Sequence, residues 1–127
     1  MAIRFESIVP TIRIFSVEKA REFYIDYLGF KLDWEHRFDN NAPLLMQVSR
    51  GGILLRLSEH YGDGSPGIHV TIEMTGINEL HAELTEKNYR YFRPAVEDKP
   101  WNARVMVVYD PFGNRIFFSE SKPAINR

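Results

Sequence analysis

"IHVTIEM" (68–74) alternates strictly: Ile68, Val70, Ile72 and Met74 point one way and His69, Thr71 and Glu73 the other, the two-residue period of a β-strand. Sixty residues earlier "IVPTIRI" (8–14) does the same, with Ile8, Pro10, Ile12 and Ile14 opposed to Val9, Thr11 and Arg13. Each run leads into a helical pattern. Ser16 stands as the N-cap of a helix carrying Val17, Ala20, Phe23, Tyr24, Tyr27 and Leu28, and Gly29 follows where a C-terminal cap belongs. Thr75 takes the capping place ahead of Ile77, Leu80 and Leu84. Val17 lies 60 residues before Ile77 and Gln47 lies 60 before Val107, so the chain reads as two copies of one unit.

The remainder of each copy is strand-like. "FKLDWEHRF" (30–38), "PLLMQVS" (43–49) and "ILLRLSE" (53–59) complete the first, the last two joined by the hairpin signal Arg50-Gly51-Gly52. In the second, "YRYFRPAV" (89–96) is a weaker strand broken by Pro94, and "RVMVVY" (104–109) and "RIFFSES" (115–121) flank the tight turn "DPFGN". The fold class is therefore α+β: two βαβββ repeats whose curved mixed sheets enclose a cleft. We expect one domain over 1–127, with repeat one at about 5–59, a flexible connection at 60–67, repeat two at about 68–121 and a poorly ordered tail at 122–127.

Composition excludes several functions. A formal net charge of −1, with basic and acidic residues interspersed, offers no footprint for nucleic acid. Absence of cysteine removes disulfides, thiolate metal sites and a cysteine nucleophile. No window approaches a membrane span, and the start "MAIRFESIVP" does not read as an export signal, so a soluble cytoplasmic protein is expected.

If each helix buries its stripe against one face of its sheet, Ile8, Ile12 and Ile14 in the first repeat and Ile68, Val70, Ile72 and Met74 in the second face the core. The opposite faces then carry Val9, Thr11, Arg13, Gln47, Leu54, Arg56 and Ser58, and His69, Thr71, Glu73, Val105, Val107, Tyr109, Arg115, Phe117 and Ser119. That mixture of apolar surface and placed polar groups suits the lining of a ligand cleft.

"EFYIDYLGFKLDW" (22–34) and "VVYDPFGNRIFF" (107–118), in their places within the doubled unit, resemble the helix-to-strand junction and the closing hairpin of the vicinal oxygen chelate superfamily. The stretches "DWEHRF", "QVSRGG", "LSEHYGDGSPG" and "PWNARVMVVYDPFGN" look most like its bleomycin-resistance-protein branch. Enzymes of that superfamily, such as glyoxalase I, extradiol dioxygenases and fosfomycin-modifying transferases, hold a divalent metal with ligands on the first and last strand of each unit. By resemblance those positions here are Val9, Arg56, His69 and Phe117. Val9 and Phe117 have no lone pairs, and Arg56 puts a permanent positive charge where the cation belongs. No metal, cofactor or catalytic residue is expected. His69 and Glu73, four residues apart on one strand, are ~13 Å apart at their backbones and cannot share an ion. Glu35, His36, Glu59 and His60 are the remaining ligand types considered for a relocated site.

His69 is then a ligand contact or a hydrogen-bonded residue of the cleft wall. Arg56 and Arg13 either anchor an anionic or carbonyl-bearing ligand through the guanidinium fork or pair internally with Glu73 or another acid. Trp34, in phase with Phe30, Leu32 and Phe38, is expected in the core, whereas Trp101, in the loop "EDKPWNAR", is a ligand or dimer contact. Pro10 removes a ladder hydrogen bond and belongs at an edge or bend. In the resembled branch a proline at this place is the hinge of an N-terminal arm exchanged between subunits, which implies a swapped homodimer.

"SEHYGDGSPG" matches neither a phosphate cradle nor a calcium loop. The expected function is non-catalytic binding of a small, antibiotic-like molecule, with Gln47, Arg56, His69, Glu73, Trp101 and Phe117 as ligand contacts. The alternatives are a metal-dependent lyase or dioxygenase with a relocated site, and a dimeric interaction module with a vestigial cleft.

Overall fold

A computed structural model describes residues 2–122. It contains two four-stranded sheets of identical plan. Strands β1 (Thr11–Arg13), β2 (Lys31–Arg37), β3 (Leu44–Arg50) and β4 (Ile53–Ser58) form the first, in the order β1-β4-β3-β2. Strands β5 (His69–Glu73), β6 (Val96–Lys99), β7 (Ala103–Tyr109) and β8 (Arg115–Ser121) form the second, in the order β5-β8-β7-β6. The edge pairs β1–β4 and β5–β8 are parallel and the rest antiparallel. A parallel pair requires a crossover, and the helices supply it: α1 (Val17–Ala20), continued by π-helical turns over Arg21–Tyr27, in the first repeat and α2 (Ile77–Lys87) in the second. No helix among the described residues is long and apolar enough to cross a membrane.

One core joins the repeats. Ile12, Ile14, Met46, Leu55 and Leu57 from the first sheet share it with Ile72, Met106, Val108, Ile116 and Phe118 from the second and with the helix residues Phe23, Tyr24, Tyr27, Ile77 and Leu84. The wide π-helical turns, closed by Leu28 N–H donating to Phe23 O over 2.9 Å, accompany the burial of three rings within five residues. Phe23 packs edge-on against Tyr24 and Tyr89, and Tyr27 stacks on Tyr89 at 4.5 Å between centroids. Burial pushes the Tyr27 and Tyr89 phenols up to about 12.

Beside this apolar mass lies a buried polar knot. Tyr24 donates its hydroxyl to Asp110 Oδ2 over 2.6 Å, and Asn114 Nδ2 donates to the same oxygen and to Arg13 O. Asp110 Oδ1 accepts the backbone N–H groups of Phe112 and Asn114, closing the β7–β8 turn, and Asn114 Oδ1 accepts those of Gly67 and Ile68. Burial, with the Asp110 charge adding to it, holds the Tyr24 phenol well above its ordinary range. The turn "DPFGN" is thus a junction where strand β1, the π-helical turns and the connection between repeats all meet.

Several sequence expectations need correction. Ser16 caps α1 as expected, accepting from Lys19 N, but Thr75 does not cap α2. The N-cap is Gly76 at φ 87°, which offers no side chain, and Glu120 Oε1 reaches across from β8 to accept from Ile77 N over 2.8 Å. Residues 89–95 form no strand: the aromatic side chains of Tyr89 and Phe92 turn into the core instead, and the ladder begins only at Val96. Ile8, expected on the core face, is 93% exposed, because residues 2–9 precede β1 without a pairing strand in the single chain. Pro10 sits at the sheet edge, its carbonyl accepting from Arg56 N over 2.9 Å.

The connection over 60–67 is tied down at its end by Asn114 and again in its middle, where Ser58 donates to Asp63 and Gly64 runs against β1. A Cβ on Gly64, at φ +82°, would meet Thr11 O at 3.0 Å. Gly64→Ala therefore adds a backbone penalty to a steric one and should lower stability by about 1–3 kcal/mol, read from the shift of a urea unfolding midpoint. Gly62, with open space around it at φ +92°, isolates the conformational part of that cost. Of the tail expected at 122–127, Lys122 is anchored through its N–H to Asn102 O, and residues 123–127 lie outside the described residues.

Candidate functional site: the outer faces of the two sheets

Strand register places the same positions of each repeat in a cross-strand row on the face away from the core. In the first sheet the row reads Thr11, Arg56, Gln47, Trp34. Its counterpart in the second sheet is Thr71, Phe117, Val107. Arg56 and Phe117 are thus equivalent by register, one residue off the 60-residue interval. The row also corrects the placement of Trp34. A register shift between Leu32 and Trp34 turns the indole out of the Leu32 phase and onto the Gln47 face, where it is 38% exposed. Phe38, beyond the bulge, is 74% exposed. A single bulge cancels a phase argument, and no residue type in "KLDWEH" announces one.

On the first sheet the side chains are held in order. Arg56 Nε donates to Gln47 Oε1 over 3.1 Å while its guanidinium lies 5.5 Å from the Trp34 ring centroid. Gln47 Nε2 donates in turn to Asp33 Oδ2, whose other oxygen accepts from Ser49. Neither Arg56 nor Arg13 pairs with a carboxylate among the described residues, so the internal ion pair with Glu73 is not formed. Arg56 keeps a permanent charge and its terminal N–H donors on a surface backed by an indole. That is an anchor for a carbonyl, carboxylate or phosphate oxygen.

On the second sheet His69 stacks on Phe117, centroids 3.8 Å apart and planes 19° from parallel, and its Nε2 is 3.0 Å from Thr71 Oγ1. Arg115 reaches over the other ring of this pair, 5.6 Å from the Phe117 centroid. His69 and Phe117 together present a flat aromatic surface with a cation at its border, suited to a planar ligand group. Glu73, at the far end of β5 opposite Ser119, borders a cavity of about 480 Å³ rather than the His69 stack. Trp101 is 66% exposed on the β6–β7 turn, and no hydrogen bond or ring contact joins it to the others among the described residues. The structure thus brings Gln47 to Arg56 and His69 to Phe117, and leaves Glu73 and Trp101 apart from both pairs.

The metal fit fails on the same geometry. Of the four corners, Val9 and Phe117 offer no donor, Arg56 is a cation, and His69 is engaged by Phe117 and Thr71. Elsewhere, Glu35 pairs with Arg21, Glu59 accepts from Leu44 N, and His36 and His60 pack against Phe38. No group of three or more His, Asp or Glu converges to hold an ion among the described residues. These residues do not fit a divalent metal, and no chemistry is derived through one.

Two mixed sheets of like plan, each with a crossover helix on its inner side, define a paired βαβββ protein. The chain belongs to the glyoxalase superfamily, whose family description, glyoxalase superfamily protein, matches residues 1–124. A search of curated proteins gave no match. Among solved structures it is similar to TnmS3, an antibiotic-binding protein from Streptomyces sp. CB03234, at 24% identity and a TM-score of 0.73 over 96% of this chain and 99% of that one. It is similar at 28% identity, with a TM-score of 0.66, to the bleomycin-binding protein of bleomycin-producing Streptomyces verticillus in complex with copper(II)-bleomycin, covering 97% of this chain and 100% of that one. A bleomycin resistance determinant encoded on transposon Tn5 shares the fold at 17% identity and a TM-score of 0.72, over 94% and 100% of the two chains.

Proposed function

We propose that this protein binds a small, partly aromatic, antibiotic-like molecule without transforming it, sequestering the ligand by shape, stacking and hydrogen bonds. The observation that carries the reading is the pair of rows on the outer faces: a guanidinium on an indole in one, its terminal donors unpaired with a carboxylate, an imidazole stacked on a phenyl ring in the other, and no convergent donor set for a metal among the described residues. Gln47, Arg56, His69 and Phe117 are its first ligand contacts, with Glu73 and Trp101 reached by a larger ligand or by a second copy of the chain. The likeness to a bleomycin-binding protein at 28% identity supports the same reading.

The cleft is completed, in this reading, by a homodimer. Ile3, Phe5 and Ile8 are 88%, 96% and 93% exposed on a segment that ends at Pro10, beside an edge strand of only three residues. An apolar arm without a partner in its own chain fits exchange with a second copy about Pro10. A cytoplasmic location and the absence of nucleic-acid and membrane partners belong to the same proposal.

Thermal unfolding in the presence of metal-free bleomycin and of flat aromatic antibiotics tests it. A binder gains stability in proportion to ln(1 + [L]/Kd), so Tm should climb steadily with ligand. The ligand should be recovered chemically unchanged. A divalent metal retained at one equivalent per chain and lost on His69→Ala, with turnover, would establish the enzymatic alternative. A flat Tm across the whole series would leave only the interaction module.

A further inference from the structure

The internal repeat creates two cavities where one unit's helix start meets the other unit's hairpin. One, of about 480 Å³, lies between the β3–β4 turn and the start of α2, with Glu79 on its wall. The other, of about 520 Å³, lies between the β7–β8 turn and α1, with Lys19 on its wall. Glu79 follows Lys19 by the same 60 residues that separate Val17 from Ile77, the first residues of α1 and α2. The same place in the repeat thus carries opposite charges. The first cavity also holds Glu73, Glu83 and Arg50, the last two bound to each other at 2.8 Å.

The second cavity is walled by rings. Tyr89, Tyr91, Phe92, Tyr109 and Phe112 come from the segment before β6, the end of β7 and the β7–β8 turn. Tyr89 lies 5.1 Å from Tyr91 and 5.5 Å from Phe92, and Phe92 lies 6.2 Å from Tyr109, all edge to face, while Tyr91 and Tyr109 are about half exposed. The Arg90 guanidinium also lies 4.9 Å from the Tyr91 centroid, so cations border half-exposed rings that a flat guest can pack against. Lys19 Nζ donates to the Tyr91 hydroxyl over 2.9 Å and lies 5.4 Å from its ring centroid, and no carboxylate pairs with it among the described residues. Asp110, the acid on this wall, is buried and saturated by four hydrogen bonds from Tyr24, Phe112 and Asn114, so it does not answer the Lys19 charge.

We propose that this cavity is a second small-molecule site, meeting the outer face of the second sheet only at Tyr109, that takes a planar aromatic acid, its rings against Tyr91 and Tyr109 and its carboxylate on Lys19. It contains neither Arg56 nor His69, and of its lining only Tyr109, in register with Arg115, belongs to the outer face. The Tyr91 phenol, itself on the cation, is displaced or shared when a carboxylate arrives.

The test is titration of 1-naphthoate onto the intact protein by calorimetry, with 1-naphthylmethylammonium as the probe of equal ring and opposite charge. Saturable naphthoate binding is expected, with the ammonium probe roughly tenfold weaker or worse, since one charge-assisted hydrogen bond is at stake. Lys19→Gln, which removes the charge-assisted hydrogen bond, should weaken naphthoate about tenfold, and Tyr91→Ala, which removes a ring contact, about 2- to 10-fold, both being surface substitutions whose folding is checked by circular dichroism. Glu79→Gln, in the oppositely charged cavity, should leave naphthoate binding unchanged. The proposal is overturned by absence of saturable binding to the folded protein, by equal affinity for the two probes, or by loss in Glu79→Gln with retention in Tyr91→Ala.

Discussion

Asn114→Ala should lower the free energy of unfolding by about 3–5 kcal/mol, a large part of the total for a domain of this size. The side chain is fully buried and makes four hydrogen bonds, accepting from Gly67 N and Ile68 N and donating to Arg13 O and Asp110 Oδ2. Alanine removes the partner of two backbone donors and one backbone acceptor, all part-buried, together with a buried bond to Asp110, and each such loss costs about 1–3 kcal/mol where water does not replace it. Asn114→Asp, isosteric but unable to donate from Oδ2 and placed beside Asp110, should be at least as damaging. Chemical denaturation followed by intrinsic fluorescence measures both. A change below about 1 kcal/mol would show that the junction between repeats does not depend on this amide.

The second large effect is on the ligand. Arg56→Ala should weaken binding of the molecule that stabilises the protein by about 10- to 100-fold, the value of one or two charge-assisted hydrogen bonds, with little change in Tm of the free protein because the guanidinium is exposed. Arg56→Lys should restore part of the charge attraction but not the fork, and recover only a fraction of the affinity. His69→Ala removes one side of the stack on Phe117 and should cost less, about 0.5–1.5 kcal/mol of binding. Unchanged affinity in both variants would move the site off the outer faces altogether.

Which parts of this were readable beforehand follows from what each feature depends on. Period-2 and helical alternation depend only on local burial, so the two sheets, their strands and the doubled unit could be read from "IHVTIEM", "IVPTIRI" and the 60-residue interval. The correspondence of Arg56 with Phe117 was available only through the resemblance, because the 60-residue interval alone would pair Arg56 with Ile116 and it is the register that shows the one-residue offset. Trp34 was not, because a bulge in β2 moved it to the other face. The cap of α2 was not, because its acceptor, Glu120, comes from 43 residues away. Residues 89–95 alternate like a strand yet pack as an aromatic patch, since rings at Tyr89 and Phe92 gain more from Phe23 and Tyr27 than from a ladder that Pro94 would interrupt. The aromatic cavity beside Lys19 was invisible for the same reason: it is assembled from three segments that no window contains together.

The stacked imidazole also sets what it takes to build a cation site on this scaffold. A carboxylate in place of Phe117 would remove the stack on His69 before any ion could compensate, and the cation at Arg56 would still repel the ion. At least two replacements, at Phe117 and at Arg56, would have to be made together before either gained anything from a metal.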